Sequence, residues 1–255
     1  MKGLLIKDFF CLKKQLINYG FVIVGVIVVS VLFVLSYNFG NIHVQFQELI
    51  ASGESTEAGV TMIAGNAMLL FMLIPIACTG DITNLVTDDE KASFYKVASV
   101  LPISISRRVA CRFLAGYLFL FIGVAVDLVM SIILSFLTEV ISLGKFCGVI
   151  ISFASVMMMY VSLFLLLVYA LGKGKTIYAS VIPLLVGVGV YGGINFDRMR
   201  AFFMGSDDNA LMELYERTTA FMFHRSYLLL LAAILFSGGA YLAAVFIAKR
   251  KRGVA

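Results

Sequence analysis

Phe113–Leu137 reads FLAGYLFLFIGVAVDLVMSIILSFL, with one charge, Asp127, inside it. An apolar stretch of this length crosses about 30 Å of hydrocarbon as a helix, because a helix satisfies its own backbone polar groups where water is absent. Arg107, Arg108 and Arg112 stand immediately before it. Outward from this segment, five more stretches have the same character: Gly20–Phe39, Val60–Thr79, Phe146–Leu171, Ile177–Ile194 and Tyr227–Ala248. The expected fold is all-α, a polytopic membrane protein with six transmembrane helices forming a single domain over residues 1–255. Pro183 in the fifth span is tolerable where neighbouring helices satisfy the freed backbone groups. The first span is too long for the core of a cleaved signal peptide, and no small-x-small site follows it.

Composition agrees with this reading. The chain is 61% hydrophobic and 14% charged with a mean hydropathy of +1.00, against about half and about a quarter for soluble domains. It has too little polar surface to cover a water-facing globule. The four cysteines, Cys11, Cys78, Cys111 and Cys147, form no C-x-x-C pair and have no histidine nearby, so they read as small apolar fillers rather than a metal or redox site.

The net charge of +5 sets orientation rather than nucleic-acid binding. With the N-terminus inside, fifteen of the twenty Lys and Arg fall in the inner segments. These are Lys2, Lys7, Lys13 and Lys14, then Lys91, Lys96, Arg107, Arg108 and Arg112, then Lys173 and Lys175, and finally Lys249 to Arg252. The outer segments hold Lys145, Arg198, Arg200, Arg217 and Arg225. This positive-inside bias places both ends in the cytoplasm and supports the count of six.

Three further helices are expected outside the spans. Met1–Tyr19 places Leu4, Leu5, Phe9, Leu12 and Leu16 at helical spacing among lysines, as in an amphipathic helix lying on anionic lipid heads. Thr87–Leu101 is expected as a cytoplasmic helix: Thr87-x-x-Glu90 is a capping box, Asp88 and Asp89 suit a helix N-terminus, and Pro102 stops it. Ser206–Thr218 is expected as an extracellular helix before the last span, capped by Ser206 and with Leu211, Leu214 and Tyr215 as its apolar stripe.

Two strings imitate nucleotide sites. Gly187-x-Gly189-x-x-Gly192 lies inside a membrane span, without the strand that a dinucleotide fingerprint needs. Gly189 and Gly193 overlap it as a small-x-x-x-small pair, suited to close helix packing across a dimer interface. Gly174-Lys175-Thr176 resembles the end of a phosphate loop, but Tyr169 occupies the place of its first glycine. No catalytic or metal site is expected, and ATP and Mg²⁺ have no binding motif in this chain. Asp127 has two readings: a polar site or inter-helix bond within the membrane, or a residue nearer the outer surface or bonded to Ser131 one turn on.

The inner loop carries the functional signal. It runs from Asp88, Asp89, Glu90 and Lys91 through Phe94 and Tyr95 to Leu101-Pro102 and Ser104, then to Arg107-Arg108 and the third span. A short helix held between two membrane helices can transmit a push from a cytoplasmic partner, with aromatic anchors filling a pocket and charges fixing register.

This pattern, acidic–Lys–x(n)–Leu-Pro-x-Ser–x–Arg between spans two and three, resembles the ABC-2 type permeases of bacterial ABC exporters. The resemblance extends over the whole chain and includes the amphipathic N-terminal helix, the six spans and the outer helix before the last span. Within that family the chain looks most like the short permeases of exporters of cytolytic or antimicrobial peptides, such as the phenol-soluble modulin exporter. It departs from the pattern by an additional Ile-Ser in Leu101-Pro-Ile-Ser-Ile-Ser-Arg107.

The resemblance implies that Thr87–Leu101 is a coupling helix, with Asp88, Asp89, Glu90, Lys91, Phe94, Tyr95 and Leu101 docking on a separate ABC ATPase subunit that binds ATP and Mg²⁺. It further implies a second permease, identical or paralogous, a bacterial plasma-membrane location, and an amphipathic peptide or hydrophobic substrate. Two other classes compete. An intramembrane protease or lipid-modifying enzyme needs Ser and His at membrane depth, or clustered acids, and the spans carry neither. A substrate-binding membrane component of an ATP-coupled importer also partners an ATPase, but through another protein.

Overall fold

A computed structural model describes residues 13–40, 56–92, 103–138, 143–172, 174–204 and 210–252, with Gly3, Ile6, Lys7 and Val44; at 56–71 and scattered other helical positions it describes the backbone alone. Seven helices run through these residues: α1 (Lys13–Phe39), α2 (Thr56–Lys91), α3 (Ile105–Thr138), α4 (Leu143–Leu171), α5 (Thr176–Ile194), α6 (Phe196–Phe203) and α7 (Ala210–Arg252). No strand occurs among the described residues.

Among the described residues, four apolar segments are long enough to cross a membrane: Ile105–Ile133, Phe146–Leu171, Thr176–Ile194 and His224–Lys251. Tyr19–Val29 in α1 is a shorter apolar segment, and the expected span Val60–Thr79 falls within α2. The secondary structure of the described residues is all helical, and the chain is a multi-pass membrane protein.

α4 is the hub. It packs against α2, α3, α5 and α7, and its contact with α7 is the most extensive among the described residues. Small residues make that approach possible: Ala233, Ser237, Ala240 and Ala244 of α7 recur on one face and are all buried. Where α2, α3 and α4 converge, Gly116 has no room for a side chain. A Cβ there would lie 2.9 Å from Val161 Cγ1 and 3.2 Å from Ile82 Cδ1. One apolar cluster joins α1 to α4 through Val26, Ile74, Phe119 and Phe146. A second gathers Ile82, Phe113, Phe164, Ala179 and Ala244 from α2, α3, α4, α5 and α7. The outward faces stay apolar, as Leu184, Leu185 and Val188 of α5 and Leu235 and Leu242 of α7 show. Such faces suit lipid rather than water.

Several expected boundaries move. α1 runs unbroken through Tyr19 and Gly20, and Tyr19 is buried in the core rather than laid on an interface. Of the residues before it, Gly3, Ile6 and Lys7 are described, and all three are helical. α2 does not stop before Thr87: the amide ladder of the second span continues to Lys91, and Thr87 Oγ1 donates back to Thr83 O at 2.8 Å. The capping box at Thr87 is therefore not formed, because a hydroxyl inside a continuous helix bonds the preceding turn. Residues 93–102 lie outside the described residues, and so does Ser206. The outer helix expected to end at Thr218 instead continues into the last span as α7, broken at Arg225 (φ −125, ψ 19). Thr218 Oγ1 donates to Leu214 O at 2.8 Å and lies 2.9 Å from Tyr191 Oη of α5.

Candidate functional site

Carboxylates at a helix C-terminus face the negative end of the helix dipole and need partners. The C-terminal turn of α2 carries three, and two of them, Asp89 and Glu90, find partners on other segments of the fold. Asp89 Oδ1 accepts from Lys7 Nζ at 2.6 Å, and Asp89 Oδ2 accepts from Arg112 at the start of α3. All three side chains are largely shielded, with Asp89 15% exposed. One carboxylate thus ties the N-terminal segment and α3 to the end of α2.

Glu90 reaches in another direction. Its Oε2 accepts from Thr176 Oγ1 at 2.9 Å and from the Gly174 backbone N–H at 3.3 Å. These groups form the N-terminus of α5, where Lys175 supplies no side-chain cap. Glu90 places a negative charge at the positive end of α5, a capping contact made across the fold. The backbone at Gly172 (φ 81) and Gly174 (φ 73) is left-handed, which glycine adopts without strain. The Gly174-Lys175-Thr176 string thus holds an anion after all, the chain's own carboxylate.

The loop is held from its other side as well. Lys251 Nζ donates to Tyr169 O and Ala170 O, both at 2.8 Å, covering the free carbonyls at the end of α4. Tyr241 Oη donates to Ser106 O at 3.4 Å, and Arg108 donates to Ile103 O at 3.0 Å, fixing the start of α3. Together these contacts link α2, α3, α4, α5 and α7 at one end of the bundle.

The expected coupling residues therefore divide. Asp89 and Glu90 turn inward. Asp88 and Lys91 pair loosely at 3.8 Å and are 62% and 75% exposed. Phe94, Tyr95 and Leu101 lie outside the described residues. Among the described residues, a Cβ added at Gly189 or at Gly193 would meet nothing within 4 Å, so their face of α5 is open.

Deeper in the bundle, Ser162 Oγ lies 2.9 Å from Tyr117 Oη and 2.8 Å from Ser237 Oγ, joining α4 to α3 and α7. Asp127 is buried, 2% exposed, and lines a small cavity with Ser131, Met72, Phe146, Val149, Ile150 and Phe153. The trans cap by Glu90, the Lys251 contact and the Ser162 cluster are not apparent in the sequence. A glycine-flanked Lys-Thr at the start of a helix, lacking a local cap, was the available signal for the first. No group of three or more His, Cys, Asp or Glu suited to a metal ion occurs among the described residues.

No curated protein and no solved structure matches the chain. A family model described as "ABC-2 family transporter protein" matches residues 58–250, which include the end of α2, the hub helix α4 and the Lys251-bearing α7 up to its last turn. The chain belongs to the ABC-2 family of transporter proteins, as a membrane-embedded permease subunit of an ABC transporter.

Proposed function

We propose that this permease exports hydrophobic or amphipathic substrates, peptides among them, across a bacterial plasma membrane, driven by a separate ATPase subunit that binds ATP and Mg²⁺. The observation that carries the reading is the clasp at the end of α2. The segment 93–102 leaves a helix end tied to the N-terminal segment and α3 through Asp89 and to α5 through Glu90. A displacement of that segment is delivered to several helices at once rather than dissipated in a loop.

In this reading Phe94, Tyr95 and Leu101 fill a groove on the ATPase, and Asp88 and Lys91 set its register at the rim. Asp89 and Glu90 couple the docked segment to the bundle. The chain spans the membrane six times with both ends in the cytoplasm, supported by the fifteen-to-five partition of Lys and Arg. A second permease packs against the open face of α5, where Gly189 and Gly193 allow close approach.

The test is co-purification with an ABC ATPase subunit, together with substrate-stimulated ATP hydrolysis in reconstituted membranes. Truncating buried aromatic anchors at an interface costs on the order of 2 kcal/mol or more. Phe94→Ala combined with Tyr95→Ala abolishes ATPase capture and stimulation while the permease still inserts and folds. Full binding and stimulation in the double variant overturns the coupling role of this segment.

A further inference from the structure

Among the described residues, two buried side-chain oxygens lack a hydrogen-bond partner: Asp127 Oδ1 and Ser131 Oγ. They stand one turn apart on α3, 2% and 0% exposed. Both line one cavity of about 10 Å³, room for a single water-sized group. Its other walls are Met72 of α2 and Phe146, Val149, Ile150 and Phe153 of α4. Among the described residues, the lining offers Asp127 no cation. A hydroxyl cannot balance a charge, and a buried polar group without a partner is costly. What the lining does offer is suited to a cation: one carboxylate oxygen, one hydroxyl acceptor, two aromatic rings and a polarisable thioether, in a space the size of an ammonium group.

We propose that Asp127 and Ser131 form a subsite for one ammonium-sized monovalent cationic group, walled by Phe146 and Phe153. The carboxylate supplies the countercharge, Ser131 Oγ accepts a hydrogen bond, and the ring faces supply the remaining attraction. The cation has two sources with this chemistry: a primary amine carried by a transported amphipathic peptide, or a free inorganic ion. The amine source rests on the export reading above; the subsite itself does not.

The experiment uses the full chain in lipid nanodiscs, without any ATPase, and follows its thermal unfolding. Methylammonium, ammonium, sodium and potassium chlorides are titrated at constant ionic strength against tetrabutylammonium chloride, whose cation is too large for the cavity. The expected result is a saturable rise in Tm, abolished in Asp127→Asn and weakened in Phe153→Leu and in Ser131→Ala. Stabilisation by methylammonium and by a lysine-bearing amphipathic peptide identifies an amine occupant. Stabilisation confined to sodium or potassium identifies an inorganic one, and both results support the subsite. No saturable shift with any of these cations overturns it, as does an equal shift in Ser131→Ala, Phe153→Leu and Asp127→Asn. If Asp127→Asn does not fold, the other two variants decide. Because no ATPase is present, failure of the coupling segment leaves this result intact, and the reverse also holds.

Discussion

Lys251 Nζ of α7 sits 2.8 Å from Tyr169 O at the end of α4, while Glu90 Oε2 of α2 holds Thr176 at the start of α5. The short turn between α4 and α5 is thereby fixed by a cation at its carbonyl end and an anion at its amide end. Each charge matches the local helix dipole. The N-terminal end of α5 buries Thr176, Ala179 and Pro183, and the bond from Glu90 fixes its first turn.

Removing either partner loosens that turn. Glu90→Ala, which deletes the cap on α5, costs about 1 kcal/mol, and Glu90→Gln keeps part of it. A cysteine at the exposed Lys175 reacts faster with maleimide in Glu90→Ala and in Lys251→Ala than in the parent. Equal reactivity in all three proteins removes the capping role.

Asp89 balances two cations, so its loss costs more than the loss of either one. Asp89→Asn destabilises by about 2 kcal/mol, because Lys7 and Arg112 then lose their carboxylate in a partly shielded site. Lys7→Ala costs less, since Arg112 still satisfies Asp89. A double-mutant cycle between Lys7 and Asp89, read by thermal unfolding in detergent, gives a non-zero coupling. Strict additivity shows that the pair contributes nothing.

Gly116 tolerates no branched side chain. Gly116→Val overpacks the junction of α2, α3 and α4 and costs about 1–3 kcal/mol. Val161→Ala removes the nearest obstructing methyl groups and recovers part of the loss when combined with it. Absence of recovery in the double variant places the strain elsewhere.

The orientation of the chain is open to labelling. In a background without native cysteines, Asp197→Cys reacts with an impermeant maleimide added outside intact cells. Lys91→Cys reacts only after permeabilisation. Both positions are exposed in the fold. Reaction of Lys91→Cys from outside reverses the assigned topology.

How far the sequence carried the reading differs from element to element. The long apolar stretches of α3, α4, α5 and the last span declared themselves, because hydrophobic length is a local property and the bilayer enforces it. The end of α2 was misread for a physical reason. Thr87-x-x-Glu90 satisfies a capping box as a string, yet an existing helix needs no new nucleus, and extending it by one turn costs less than stopping and restarting. Glu90 was marked as a docking residue, and its bond to Thr176 spans 86 positions. No pattern within a single helix encodes such a contact. Small-residue packing was recognised in α5, where Gly189 faces open space, and missed in α7, where Ala233, Ser237, Ala240 and Ala244 meet α4. Glycine spacing is conspicuous, whereas alanine and serine pass as ordinary helix content. Asp127 was legible as an anomaly; that Ser131 leaves it unsatisfied needed the fold.

Gly116 also limits how this bundle can move. Val161 and Ile82 fill the space that a side chain at this position would need, so any relative shift of α2, α3 and α4 at this crossing has to carry those close-packed side chains with it.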